Sequence, residues 1–202
     1  MSIEKYFYEK WGIPRTHKTA YGYSYPDPRI DFNATFGGPG HTLQHIPFSL
    51  IEKRGTELFD VDWTDLVLLA TVRNPYHRIV SDLFFFIQYT GITRNSTPQD
   101  VEKAIYHYLT NETYDYDNHR LPQWKMLVRG RDGKIPPEMI ILKTESLTEE
   151  MHQMGFTDFS FHENPNRTGE KIDYMSLFTP RSIEMVNLYY EKDFELFHYS
   201  ML

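Results

Sequence analysis

Leu66-Val67-Leu68-Leu69-Ala70-Thr71-Val72-Arg73-Asn74-Pro75-Tyr76-His77-Arg78-Ile79-Val80-Ser81 is the stretch that decides the fold. Residues 66–72 are apolar without alternation, which predicts a strand covered on both faces, as in a parallel sheet. Pro75 suits the first position of a helix, which the pattern carries to about Tyr89. Ile79, Leu83, Phe86 and Ile87 supply its apolar stripe. Arg73 follows the strand at once, and ligands of open parallel sheets bind outside the carboxyl ends of the strands. Its planar fork, with the Ser81 hydroxyl two helical turns on, makes a receptor for a phosphate. A surface pairing of Arg73 or Arg78 with a carboxylate is the plainer alternative.

Outward from this unit, Met139-Ile140-Ile141-Leu142 reads as a second buried strand. Ser2 to Trp11 reads as an amphipathic helix with Ile3, Phe7 and Trp11 on one face, stopped by Gly12 and Pro14. Pro47 to Arg54 reads as a short helix closed by Gly55. Thr97 caps another, with Pro98 at its first position and Asp100 placed for a capping box. Thr179-Pro180 opens the last long helix, which carries Ile183, Val186 and Tyr190. Residues 12–40, rich in Gly, Pro and Tyr, read as irregular. Strands alternating with helices predict an α/β fold with a parallel sheet and more helix than strand. Residues 1–202 read as a single domain.

The chain has 202 residues, enough to bury roughly two-thirds of its unfolded surface. It has no cysteine, which excludes a disulfide scaffold, a thiolate metal site and a Cys nucleophile. Lys+Arg is 21 and Asp+Glu is 28, so the net charge is 21 − 28 = −7. That argues against nucleic acid as a general partner, while leaving room for one local anion pocket. No stretch approaches the ~20 apolar residues of a membrane span. Met1-Ser2-Ile3-Glu4-Lys5 has no apolar signal region, so the expected location is the cytoplasm, and the sequons at Asn33, Asn95, Asn111 and Asn166 read as chance. No ligand cluster spaced for a metal occurs among the histidines, and no Gly-x-x-x-x-Gly-Lys-Ser/Thr of nucleotide kinases is present. His107, His152 and His198 read as surface or packing residues on helices. Glu112, Asp115 and Asp117 read as a solvated loop.

Val72-Arg73-Asn74-Pro75-Tyr76-x-Arg78-x-Val80-Ser81 resembles the 3′-phosphate-binding segment of sulfotransferases, especially the carbohydrate sulfotransferases. Gly40-His41-Thr42-Leu43 resembles that family's Gly-His segment, and His119-Arg120-Leu121-Pro122-Gln123 its His-x-x-Pro-Gln segment. Ile140 to Leu147 resembles the next strand and its Glu-x-Leu. Asn166-Arg167-Thr168, Tyr174 and Tyr190-x-x-Asp193-Phe194-x-x-Phe197-x-Tyr199 resemble the C-terminal region. The resemblance thus runs in order from about residue 2 to residue 202. It implies a P-loop-like parallel sheet flanked by helices. It also implies sulfuryl transfer from 3′-phosphoadenosine 5′-phosphosulfate (PAPS) to a hydroxyl on a small molecule or glycan, without a metal. By the same resemblance Arg73 and Ser81 hold the 3′-phosphate, and Arg167 and Lys171 are further phosphate contacts. His41 is the candidate base for the acceptor hydroxyl. His119 and Gln123 fall to the acceptor side.

The family's donor site has a second half, in which a strand leads into a Lys-bearing loop whose amides cradle the 5′-phosphosulfate at a helix N-terminus. Met1 to Phe7 resembles the segment just after that loop, with Ser2 as the loop's last residue. The expectation is therefore a chain that begins inside the loop. His17-Lys18-Thr19-Ala20-Tyr21-Gly22 is a rival for the loop, but the sequence before it reads as a helix end and a turn. After it, Pro26 and Pro28 bar a helix interior. The incomplete loop keeps a second class of function open: a sulfotransferase-like protein that binds an anionic ligand or glycan without turnover.

Overall fold

A computed structural model describes residues 3–12, 45–59, 66–112, 116, 118–161 and 173–202 of the chain. The two strands among the described residues, β1 (Leu69–Val72) and β2 (Ile140–Lys143), pair in parallel, with Leu69 opposite Ile140 and Val72 opposite Lys143. Between them in the chain lie α3 (Pro75–Phe85), α4 (Ile87–Thr90), α5 (Pro98–Thr110) and α6 (Gln123–Leu127). Before them come α1 (Ile3–Lys10) and α2 (Phe48–Phe59). After them come a 3-10 turn at Thr144–Ser146, α7 (Leu147–Gln153), a second 3-10 turn at Tyr174–Leu177, α8 (Pro180–Tyr189) and α9 (Glu191–Leu196). The architecture is a helix-rich α/β arrangement around a small parallel sheet.

Two apolar cores hold these elements. The larger joins α3, α5 and α8 through Ile79, Leu83, Ile105, Tyr108, Val186 and Tyr190, all at most 1% exposed. The smaller joins α1, β2 and α7 through Tyr6, Leu142, Leu147 and Met151, with Phe159 beyond them. α1 is fixed there by polar contacts as well. The Tyr6 hydroxyl donates to Asp158 Oδ1, and Lys10 Nζ lies 3.0 Å from the same oxygen. Two helix starts match the sequence closely. Thr97 and Asp100 form a reciprocal capping box ahead of α5, and Thr179 does the same with Ser182 ahead of α8.

Other expectations change. The apolar run at 66–72 is hydrogen-bonded as strand only from Leu69, and Leu66 and Val67 are 44% and 75% exposed. β1 has β2 on one edge and no strand on its other edge among the described residues. Leu69 and Ala70 are half-buried and Thr71 is exposed, so the cover expected on both faces is incomplete. α2 runs through Gly55 rather than ending before it: one internal glycine costs a helix about 1 kcal/mol and does not break it. The helix after Pro75 breaks at Phe86, whose ring is buried, and Ile87 turns outward, 47% exposed. Thr90 stabilises the break by donating its hydroxyl to the carbonyls of Leu83 (2.6 Å) and Phe86 (3.2 Å). His198 lies just beyond α9 with φ 54°, not within a helix. No helix among the described residues is long and apolar enough to cross a membrane.

Candidate functional site

The carboxyl ends of β1 and β2 lie side by side, and the turn from β1 into α3 takes only Arg73 and Asn74. Asn74 caps α3 by accepting from the Tyr76 amide (3.0 Å), and Pro75, which has no N–H to satisfy, takes the first position. The turn is clamped from two sides. The Asn74 amide donates to Glu145 Oε1 at 2.7 Å, and the Thr144 hydroxyl donates to the Val72 carbonyl at 3.0 Å. On the other side Gln123 grips the main chain of Arg73 like an extra strand residue. The Arg73 amide donates to Oε1 (2.8 Å), and Nε2 donates to the Arg73 carbonyl (2.9 Å).

Gln123 is in turn fixed by a buried acid. α6 begins after Pro122, which has no side-chain acceptor to cap a helix, so the first amides of α6 need one from elsewhere. Asp193, fully buried on α9, supplies it: its two oxygens accept from the amides of Gln123 and Trp124, both at 2.8 Å. Burial pushes the Asp193 carboxyl above the ordinary carboxylate range, although the two amides pull the other way.

Around this end of the sheet stand Arg73, with its guanidinium 6.0 Å from the Tyr174 ring, and Lys143, with its ammonium 4.6 Å from the Tyr199 ring. The Tyr199 hydroxyl donates to Glu145 Oε2 at 2.8 Å. Burial, followed by the Glu145 carboxylate, raises its pKa, so the phenol keeps its proton. Two cations, two phenol rings and a turn with a helix start can receive an anion attached to a flat ring. Ser81 is half-buried on α3, and its hydroxyl makes no hydrogen bond to a described residue.

A second polar group is built by α3 one turn further on. Arg78, Asp82, Phe85 and Phe86 all meet His119. Arg78 Nη2 donates to its carbonyl, and Asp82 Oδ1 lies 3.1 Å from its Nδ1. Phe85 stacks on its ring at 5.5 Å and 11°, while Phe86 and His45 meet it edge-on. Tyr108 donates to the other Asp82 oxygen at 3.1 Å. Burial raises the pKa of that phenol, which therefore remains a donor. Arg78 forms no ion pair within 4 Å among the described residues, so its surface-carboxylate reading gives way to a carbonyl contact. The turn that delivers His119 carries two residues in left-handed backbone conformation, Tyr116 (φ 57°) and Asn118 (φ 64°). Asn tolerates that region. A bulky Tyr there is uncommon and costs of order 1–3 kcal/mol.

The structure thus brings Arg73 and Gln123 into contact and places His119 four residues before Gln123 in the same segment. Ser2, Lys18, His41, Arg167, Lys171, Asp115 and Asp117 lie outside the described residues. Sequence reasoning missed Asp82, and it gave Asp193 no role beyond its place in the C-terminal segment. Both are acids set inside apolar stripes, Asp82 among Ile79, Leu83 and Phe86, and Asp193 beside Tyr190 and Phe194. A charge in a buried stripe is the signal that could have found them. Among the described residues no group of three His, Asp or Glu side chains is gathered to hold a metal. No family model matches the chain, and neither the curated proteins nor the solved structures contain a significant match.

Proposed function

We propose that the chain is a sulfotransferase that takes the sulfuryl group of PAPS to a hydroxyl acceptor, with a carbohydrate as the favoured acceptor class, on a P-loop-like core. The observation that carries this reading is the position of Arg73. It sits at the carboxyl end of a parallel strand, on a two-residue turn into a capped helix, with Ser81 two turns along that helix. A guanidinium fork and a hydroxyl suit a phosphate monoester, and Tyr174 and Tyr199 suit an adenine or ribose beside it. Bound PAPS supplies an electrophilic sulfur and a phosphate leaving group. The chain's part is to hold the donor through Arg73 and Ser81, with Arg167 and Lys171 as further contacts and Ser2 at the phosphosulfate end. His41 is the first candidate base on the acceptor side, where His119 and Gln123 also fall.

The test is calorimetric titration of 3′,5′-ADP into the full chain and into Arg73→Ala and Ser81→Ala. Loss of charge-assisted hydrogen bonds worth roughly 1.5–3 kcal/mol each predicts at least tenfold weaker binding for Arg73→Ala and a smaller loss for Ser81→Ala. No binding by the wild type, or equal binding by all three, refutes the reading. Binding by the wild type with no transfer to any hydroxyl supports instead a binding protein that has lost turnover.

A further inference from the structure

The imidazole of His119 is held more firmly than a packing residue requires. Its carbonyl is fixed by Arg78, its Nδ1 faces Asp82, and its ring stacks on Phe85 and meets Phe86 and His45 edge-on. Asp82 cannot turn away, because Tyr108 holds its second oxygen and the residue is 7% exposed. A carboxylate accepts only, so Nδ1 must carry the proton in the neutral ring. That leaves the lone pair on Nε2, for which no hydrogen bond exists among the described residues, on a side chain still 21% exposed. A buried carboxylate that fixes the proton on one imidazole nitrogen, leaving the lone pair on the other, is the arrangement general-base chemistry needs. The strained turn at Tyr116 and Asn118 points the same way, since strain of this kind persists where the surroundings fix a side chain for a task.

We infer that His119, aimed by Asp82, is the base that takes the acceptor's proton. This rests on the sulfotransferase reading, and it moves the base from His41 to a residue that the family resemblance puts on the acceptor side. In the step, the acceptor oxygen forms a bond to sulfur as the bond between sulfur and the bridging phosphate oxygen breaks. The electron pair leaves on the phosphate, and the acceptor proton passes to His119 Nε2. The products are a sulfate ester, 3′,5′-ADP and a protonated imidazole that returns its proton to water. Asp82 is a positioning residue. Among the described residues, the titratable and charged groups facing the unit are Asp82, His45, Arg78, Tyr108 through Asp82 and Tyr190 through Arg78.

Two measurements on the full chain decide it. Long-range proton–nitrogen NMR at pH 9, where an ordinary imidazole is neutral, reads the tautomer of His119. The expected result is Nδ1–H with unprotonated Nε2 in the wild type, and a mixture in Asp82→Asn. An Nε2–H tautomer in the wild type overturns the inference regardless of activity. The second measurement is radiolabelled sulfuryl transfer from PAPS to monosaccharides, uronic-acid oligosaccharides and phenols. His119→Ala should lower kcat by roughly 10²–10⁴-fold with 3′,5′-ADP affinity within twofold of wild type. Transfer undiminished in His119→Ala, or lost only in His41→Ala, overturns the base assignment while leaving the sulfotransferase reading standing. A wild type that neither binds 3′,5′-ADP nor transfers sulfuryl groups refutes the reading and the base role together, and the tautomer then decides only whether the Asp82–His119 pair is built as described.

Discussion

Replacing Asp193 by alanine tests whether a buried acid on α9 supports the loop that grips Arg73. The side chain is fully buried, and its oxygens accept from two amides at 2.8 Å. Truncation leaves both amides at the start of α6 without acceptors. An unsatisfied buried donor costs about 1–3 kcal/mol, and the Trp124 amide, being partly open, falls at the low end. Against this, the variant no longer has to bury a carboxylate whose ionised form is disfavoured by desolvation. The balance is a loss of about 3 kcal/mol, which for a chain of this size lowers Tm by roughly 6–12 °C. Circular dichroism melts at pH 7, with urea titration as a second measure, read the change. The second expected effect is functional: with Gln123 loosened, the Arg73 turn loses one of its two clamps, and 3′,5′-ADP binding weakens. A melting temperature within about 1 °C of wild type, far below the shift this loss implies, would refute the claim that Asp193 caps α6 in the folded protein.

Two further outcomes are expected. Thr97→Ala removes the hydroxyl half of the capping box on α5 and should cost about 1 kcal/mol, measured by urea denaturation. Asp158, whose carboxyl is held below the ordinary range first by the Tyr6 hydroxyl and then by Lys10, stabilises the fold above the unfolded pKa near 3.9 and loses that contribution as pH falls through the lower folded value. In acid titrations, Asp158→Asn should therefore show a shallower loss of stability below about pH 4 than wild type; parallel curves would count against the Tyr6–Lys10–Asp158 anchor.

The legible parts of the fold are those specified by neighbours in sequence. The capped starts at Thr97 and Thr179 are readable because a cap and its helix lie within four residues of each other. The short passage from β1 through Arg73 and Asn74 into Pro75 is readable for the same reason. What escapes depends on distance in the chain. Gln123 reaches Arg73 across 50 residues, and Asp193 reaches Gln123 across 70. Neither pairing leaves a local pattern, and an acid in an apolar stripe does not name its partner. The end of α2 is misread from sequence because glycine is a weak helix breaker whose effect tertiary packing can override. His119 draws notice from its Pro-Gln context, but its pairing with Asp82 depends on how α3 turns toward a loop 37 residues later.

The parallel pairing of β1 and β2 also has a kinetic side. Leu69 meets Ile140, so the strands close a loop of 140 − 69 = 71 residues. Closing a loop of that length costs on the order of 4 kcal/mol in chain entropy, and four paired residues recover little of it at first. Helices α3 and α5 are nearer neighbours and can form their apolar contacts early, shortening the gap the strands must bridge. The strand pair is then a late event, and the turn at Arg73 takes its shape only after that. Pulse-labelled hydrogen exchange should find the amides of α5 protected before that of Ile140, which donates to the Leu68 carbonyl; the reverse order would mean that the sheet organises the helices.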